Sequence, residues 1–337
     1  MRFSVVIPAF NAATCLGRAL DSVQAQTYRP FEVIVVDDGS SDETAAVARS
    51  HPLGPRLISI RNSGVSTARN IGMVAASGEY VALLDADDEY APDHLAGLAA
   101  AAAQHRDAVL LWTGISRRFA KGAAEEAGTL PDSNRISLQH AEDGLGGLVI
   151  KPSAYDQMMC GNFVSPSSAA FKQVVDGKTR LFRPELKLGE DRVFFLELMG
   201  LGKAVFFGAE SAIIHRDGAN ASVTTDRSKQ PILTERRIAT LHCVRDLPEV
   251  RASARRTALV AKLLAQAYRD QVYYASFLGL RKTWAAMRNG WAARSFGPAL
   301  GGVFLAKNVA RAVSHSSLLR KSGPLLVVAL LLEEGMA

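Results

Sequence analysis

The sequence predicts an α/β fold: a mostly parallel sheet with helices on both faces, followed by a helical C-terminal extension. Three observations predict it. Short uninterrupted apolar runs, rich in β-branched residues, recur through the first 112 residues, as expected of strands buried on both faces. Stretches with helical spacing separate them, which is the βαβ alternation of a parallel sheet. From about residue 230 onward strand signals stop and the chain reads as helical.

The elements follow in order. Phe3 to Ile7 is the first strand, bounded by Pro8. Leu16, Leu20 and Val23 recur at helical spacing. Phe31 to Val36 is the second strand, and Ser41 or Asp42 is placed to cap the helix running through Ala48. Leu57 to Ile60 and Tyr80 to Leu84 are the next strands, with the helix-permissive stretch Ser66 to Ala76 between them. Asp93 to Gln104 reads as a helix and Ala108 to Trp112 as a strand. Residues 114 to 165 are rich in Gly, Pro and polar residues and read as irregular, with a mobile loop from Ala120 to Asn134. Phe163 to Phe171 and Ala204 to Phe207 read as strands, and Glu190 to Met199 as a helix.

Composition narrows the function. With 48% hydrophobic residues in 337, the chain can bury a sizeable core. Cys15, Cys160 and Cys243 show no paired spacing, which argues against a disulfide scaffold or zinc cluster and fits a reducing compartment. The formal charge of +6 is unevenly spread. Residues 1 to 244 hold 25 Lys/Arg against 28 Asp/Glu, and residues 245 to 337 hold 14 against 5. The mildly acidic front disfavours a nucleic-acid groove. Arg2 and a short run ending at Pro8 do not make a secretory signal, and the uncharged run Gly323 to Leu332 is about half the ~20 residues of a spanning helix. The expectation is a cytoplasmic protein, peripheral at most on the inner membrane face.

In such a sheet, ligands bind beyond the carboxyl ends of the strands. Four polar clusters fall there: Pro8-Ala9-Phe10-Asn11, Asp37-Asp38-Gly39-Ser40, Asn62-Ser63-Gly64-Val65-Ser66 and Asp85-Ala86-Asp87-Asp88. Any one alone is ordinary turn chemistry; four on one edge point to a site. Carboxylates two residues apart at a strand mouth offer the hard oxygen donors that Mg²⁺ or Mn²⁺ prefers, together with substrate phosphate oxygens. Neither a P-loop nor a G-x-G-x-x-G follows the first strand, so a kinase or NAD enzyme of the usual kinds is disfavoured.

These segments, with Ser77-Gly78-Glu79-Tyr80 and Thr67-Ala68-Arg69-Asn70-Ile71-Gly72, resemble the inverting nucleotide-sugar glycosyltransferases of family 2 that build bacterial surface polysaccharides. About the first 95 residues carry the resemblance in the family's order and spacing, and a weaker match reaches about Thr225. It implies a GT-A fold, a Rossmann-like mixed sheet flanked by helices, over residues 1–228. Residues 1–112 would form the nucleotide-sugar-binding half and 113–228 the acceptor half; 229–337 are the basic helical tail. By position, Pro8, Phe10 and Asn11 would hold the nucleotide base, with Phe10 stacking on it. Asp38 would accept a base N–H, Asp37 would support the ribose or turn, and Asn62 and Arg69 would meet the base or diphosphate. Asp85 and Ala86 would contact the ribose or sugar, Asp87 would bind the metal (Mn²⁺ or Mg²⁺), His215 would bind the metal or touch a phosphate, and Arg216 would neutralise the diphosphate.

On the acceptor side, Leu188-Gly189-Glu190-Asp191-Arg192 resembles the family's Glu-Asp pair opening a helix. Asp191 would be the base and Glu190 its neighbour, with Gly161 to Ser168 near the acceptor. The resemblance implies a metal-dependent transfer of a hexose, glucose foremost, from a UDP-sugar to a lipid-linked oligosaccharide in exopolysaccharide, lipopolysaccharide or capsule synthesis. Two alternatives share the layout. A sugar nucleotidyltransferase should carry a Gly-rich basic loop where Phe10-Asn11-Ala12-Ala13 stand, and a non-catalytic nucleotide-sugar-binding scaffold has no need of Asp191. In the tail, Tyr268, Tyr273, Tyr274, Phe277, Trp284, Trp291 and Phe296 lie among Arg281, Lys282, Arg288 and Arg294. That mixture suits the headgroup zone of an anionic membrane, or packing on the first domain or a second copy of the chain.

Overall fold

A computed structural model describes residues 1–119, 140–142, 147–216, 229–278, 280–293 and 302–314. The loop expected from Ala120 to Asn134, Arg294, Phe296 and the run Gly323 to Leu332 lie outside these residues. The chain divides into two compact units, Met1–Ser222 and Val223–Ala337. The boundary expected at 228/229 falls at the edge of the undescribed stretch 217–228.

The first unit is built on one ten-stranded sheet. Its front half is the expected alternation: β1 (Phe3–Ala9), α1 (Leu16–Gln24), β2 (Glu32–Asp37), α2 (Thr44–Ser50), β3 (Arg56–Ser59), α3 (Val65–Ala75) and β4 (Tyr80–Leu83). β5 (Glu89–Tyr90), α4 (His94–Gln104) and β6 (Ala108–Phe119) follow. Next come β7 (His140–Glu142), β8 (Gly147–Ile150), α5 (Tyr155–Cys160), β9 (Ala169–Lys172), the hairpin β10 (Val174–Val175) and β11 (Lys178–Thr179), α6 (Glu190–Leu201) and β12 (Lys203–Arg216). The order across the sheet is β3-β2-β1-β4-β9-β6-β12-β8-β7, with β5 paired to β12.

The mostly parallel sheet expected from the alternation holds only in part. β3, β2, β1 and β4 are parallel, as are β6 and β12, but β9 runs antiparallel between β4 and β6, and β8 and β5 run antiparallel to β12. The sheet is thus mixed, parallel in its front half and mixed behind it. Pro8 does not end β1; it pairs with Val36. The Val6 carbonyl accepts from Leu84 on the β4 side, so Pro8, two residues on, faces that same side. The β1–β4 pairing stops at Val6, and the missing N–H costs no ladder bond. β3 is an edge strand and half exposed, so it is not buried on both faces. The strand expected over Phe163 to Phe171 is reduced to β9: Pro166 starts a 3₁₀ turn, closed by the Ser168 N–H donating to the Ser165 carbonyl.

Apolar periodicity decides what is buried. β1 is buried along its whole length, and α1 turns Leu16, Ala19, Leu20 and Val23 into the same core. α3 lies close over β1 and β2 because Gly72 has no side chain there: an added Cβ would stand 2.3 Å from Val6 Cγ1.

The second unit holds α7 (Gln230–Arg245), α8 (Pro248–Arg251), α9 (Ala254–Ala275), α10 (Leu280–Ala292) and α11 (Gly302–Ser314). Pro248 sits at the start of α8, and the Ser253 hydroxyl accepts the Arg256 N–H at the start of α9. α7 packs on α9 and α9 on α10. Tyr268 is buried and bonds to His242 (3.0 Å), so it is a core residue and not part of an exposed aromatic face. Among the described residues no helix is long and apolar enough to cross a membrane.

Candidate active site

The carboxyl ends of β4 and β6, the segment 162–166 and the start of α6 enclose a cavity of about 360 Å³. Its lining includes Asp85, Asp87, Asp88, Glu190, Asp191, Arg69, Arg117 and Asn162. Five of these are carboxylates, and two, Arg69 and Arg117, are cations.

α6 brings in the acceptor-side pair. Gly189, in the left-handed region at φ +70°, turns the chain into the helix, and Glu190 and Asp191 fill the first turn, where negative charge complements the exposed N–H groups. The Asp191 carboxylate accepts Asn162 Nδ2–H at 2.8 Å and the Arg192 N–H at 2.7 Å. Asn162 belongs to the expected acceptor segment Gly161 to Ser168, whose residues 162–166 do line the cavity. Burial pushes the Glu190 carboxyl up, Asp191 adds to this, and Arg69 opposes it.

Arg69 ties the two ends together. It projects from α3, is 4% exposed, and reaches Asp85 Oδ1 at 2.7 Å and Glu190 Oε1 at 3.3 Å over the Phe182 ring. Burial works against its charge, but Asp85 and Glu190 outweigh that and hold the guanidinium protonated. The residue expected to meet the base or diphosphate therefore spends its charge on two protein carboxylates.

At the mouth of β4, Asp88 is buried, accepting Ser167 Oγ–H at 2.6 Å and the His215 N–H at 3.2 Å. Burial, with the charges of Asp85 and Asp87, raises its pKa to about 8. His215 Nε2 stands 2.5 Å from Glu89 Oε1. Among the described residues no cluster of three or more His, Cys, Asp or Glu forms a ready-made metal cage. The donor set still fits a hard divalent cation: oxygen ligands gather at one strand mouth, where burial and the charges of Asp85 and Asp87 raise Asp88.

The remaining predicted residues gather at the carboxyl ends of β1 and β2, outside that lining. Phe10 is 51% exposed, its ring open to solvent. Asn11, at φ +48°, accepts the Ser41 N–H through Oδ1 at 2.9 Å. Asp37 accepts the Ser40 N–H at 3.0 Å. Asp38 is buried and accepts two N–H groups, from Ser63 at 2.7 Å and Gly64 at 2.8 Å, fixing the turn that opens α3. Asn62 is exposed and Ala86 buried. Arg216 ends β12, and its side chain lies outside the described atoms.

Sequence reasoning missed Arg117 and the Asp88–Ser167 contact. Arg117 lies in the polar second half of β6, beyond the apolar run that marked the strand. Ser167 meets Asp88 from 79 positions away, and no local pattern signals that.

Comparisons with known proteins bear on the family and on the fold. The sequence model described as "Glycosyl transferase family 2" matches residues 4–135. A Mycobacterium tuberculosis protein named "PGL/p-HBAD biosynthesis glycosyltransferase" is 40% identical over 121 residues, covering 34% of this chain and 47% of that one. An Escherichia coli protein, "Uncharacterized glycosyltransferase YibD", is 38% identical over 94 residues, 27% of each chain. The matches thus span less than half the length of these relatives. In structure, Staphylococcus aureus TarS 1-349 in complex with UDP-GlcNAc aligns with TM-score 0.56 at 20% identity, over 80% of this chain and 72% of that one. The mannosyltransferase PcManGT from Pyrobaculum calidifontis, in complex with GDP-Man and Mn²⁺, gives 0.52 at 18%, over 95% and 88%. These likenesses show the fold, a GT-A sheet with its helices. The segment 4–135, which carries the ordered strand-end clusters, is thus similar in sequence to glycosyltransferase family 2.

Proposed function

We propose that the chain is an inverting, metal-dependent glycosyltransferase that moves a hexose, glucose foremost, from a UDP-sugar to a lipid-linked oligosaccharide in surface-polysaccharide synthesis. One observation carries the reading: Asp85, Asp87 and Asp88 face the same cavity as Glu190 and Asp191. Donor-side oxygen ligands and an acceptor-side base are what a single displacement at a sugar carbon needs in one place.

In this reading Asp191 takes the proton from the acceptor hydroxyl as that oxygen attacks C1, and the C1–O bond to the diphosphate breaks on the opposite face. The configuration at C1 inverts. Asn162 and the Arg192 N–H orient the Asp191 carboxylate for that proton. Asp87, with Asp85 and Asp88 beside it, would hold Mn²⁺ or Mg²⁺, which when bound supplies positive charge to the leaving diphosphate. His215 is assigned to the same corner, where its Nε2 now meets Glu89. Phe10, Pro8, Asn11, Asp37, Asp38 and Asn62 are assigned to the nucleoside, and Arg216 to the diphosphate. UDP as the nucleotide draws support from TarS, seen in complex with UDP and UDP-GlcNAc, and a divalent metal from PcManGT, seen with Mn²⁺. The lipid-linked acceptor, and work at an anionic membrane surface, draw support from α10, which exposes Arg281, Lys282 and Arg288 in a C-terminal region carrying 14 Lys/Arg against 5 Asp/Glu.

The test is UDP release with a panel of nucleotide sugars. Turnover should require Mn²⁺ or Mg²⁺, vanish in Asp87→Ala, and fall by roughly two to four orders of magnitude in Asp191→Asn while donor binding is kept. Absence of calorimetric binding to any UDP-, GDP- or dTDP-sugar in the presence of Mn²⁺ would sink the proposal.

A further inference from the structure

The cavity has two cations, and they are in different states. Arg69 is buried and shared between Asp85 and Glu190. Arg117 is half-buried on β6, opposite Ile214 of β12 and flanked in the lining by Ile115 and Ile214. Among the described residues its side chain has no hydrogen bond and no ion pair. Its neighbour Arg118 is exposed and reaches Glu89 at 3.4 Å. The cavity's five carboxylates thus leave one guanidinium uncommitted, set between apolar side chains and turned into the cavity.

That guanidinium is half-buried and paired to none of the cavity's carboxylates, so its donors remain for an incoming anion. Its planar fork of N–H donors matches two oxygens of a phosphoryl group. We propose that Arg117 is an anion subsite of this cavity, receiving a phosphoryl group during the reaction. This rests on the transferase reading above and adds to it a second positive contact besides the metal. Two sources carry that chemistry: the diphosphate of the donor, or a phosphate on the acceptor. In the first case Arg117 meets charge that grows as the C1–O bond breaks; in the second it orients the acceptor toward Asp191.

The experiment uses the full chain, wild type against Arg117→Gln, with Arg117→Lys as the charge-conserving variant and Arg118→Gln as the control for general charge loss. Thermal midpoints confirm that each variant folds. Calorimetry with UDP and Mn²⁺ is the first arm, and inorganic phosphate added to UDP-saturated protein is the second. If the donor diphosphate is the occupant, Arg117→Gln weakens UDP by about tenfold or more, Arg117→Lys recovers part of it, and Arg118→Gln stays at wild type. If the acceptor phosphate is the occupant, UDP binding is unchanged and the phosphate signal of the wild type is lost in Arg117→Gln. Equal binding in both arms for wild type and Arg117→Gln, or equal losses in Arg117→Gln and Arg118→Gln, overturns the subsite. Wild-type protein that binds no UDP, yet binds phosphate titrated alone and loses it in Arg117→Gln, would overturn the donor assignment and leave the subsite standing.

Discussion

His94 gives the fold a titration that activity does not enter. It is the first residue of α4 and is fully buried; its ring stacks on Tyr90 at 3.9 Å, and its Nδ1 lies 2.9 Å from Ser211 Oγ and 3.4 Å from Thr113 Oγ1. Nε2 is buried with no partner. An imidazolium there would lack both water and an anion, and burial pushes the pKa down to about 3. The unfolded chain takes up the proton near 6.5 and the fold only near 3. Stability is therefore intact above pH 6.5 and lost as the pH falls below it. At pH 5 the unfolded state is favoured by about 2 kcal/mol through this one proton, since each pH unit below 6.5 is worth about 1.4 kcal/mol. The figure does not depend on the exact folded value, provided that value stays below about 4. The measurement is urea unfolding at pH 7, 6 and 5, followed by Trp112 in a Trp284→Phe, Trp291→Phe background. His94→Asn starts less stable at pH 7, and its deficit against the parent should shrink by about 2 kcal/mol by pH 5. A deficit that stays constant across the range would show that His94 does not titrate between fold and unfolded chain, and the argument fails.

Two other expectations concern the packing that positions the site. Gly72→Ala would put a methyl 2.3 Å from Val6 Cγ1 and 3.2 Å from Val36 Cγ2, so it should cost roughly 1–3 kcal/mol in chemical denaturation despite alanine's better helix propensity. Gly17→Ala meets nothing within 4 Å on α1 and should gain up to about 1 kcal/mol; the opposite signs are the check. Asn70→Ala removes a reciprocal pair, Asn70 Nδ2–H to the Phe182 carbonyl at 2.8 Å and the Phe182 N–H to Asn70 Oδ1 at 2.7 Å. It should cost about 1–3 kcal/mol and raise amide exchange around Phe182, whose ring stacks on Phe194 at 4.0 Å; unchanged exchange there would refute the clamp.

Local signals made the front half of the fold legible. Buried strands such as Val33-Ile34-Val35-Val36 announce themselves by unbroken apolar runs, and α1 by the spacing of Leu16, Leu20 and Val23, all of which the fold buries. What the sequence hid is set at long range. β9, which begins at Ala169 long after β4 ends at Leu83, slots between β4 and β6, and no local pattern says that it runs antiparallel. β6 extends to Phe119 because β12 pairs with it as far as Arg216, not because its last residues look like a strand. The same holds for the site. The Asp85-Ala86-Asp87-Asp88 and Glu190-Asp191 clusters were visible as clusters. The partition of their charges was not, because it depends on Arg69 reaching across 121 positions to Glu190 and 16 to Asp85.

That partition says why one cation serves both ends of the cavity. Asp85 ends a strand and Glu190 opens a helix, and nothing in the backbone forces the two elements to keep a fixed separation. A buried guanidinium with one arm on each carboxylate does so, because displacing either would leave an unpaired charge out of water. Lysine could not substitute, since its single ammonium lacks the fork that reaches two acceptors in one plane. The stacking of Phe182 below Arg69, and the Asn70 bonds that hold the Phe182 backbone, extend the same brace to the segment before α6. Geometry at the cavity is thus carried by groups whose charges are already spent. The other charged side chains that line the cavity, Asp87, Asp191 and Arg117 among them, stand outside that brace.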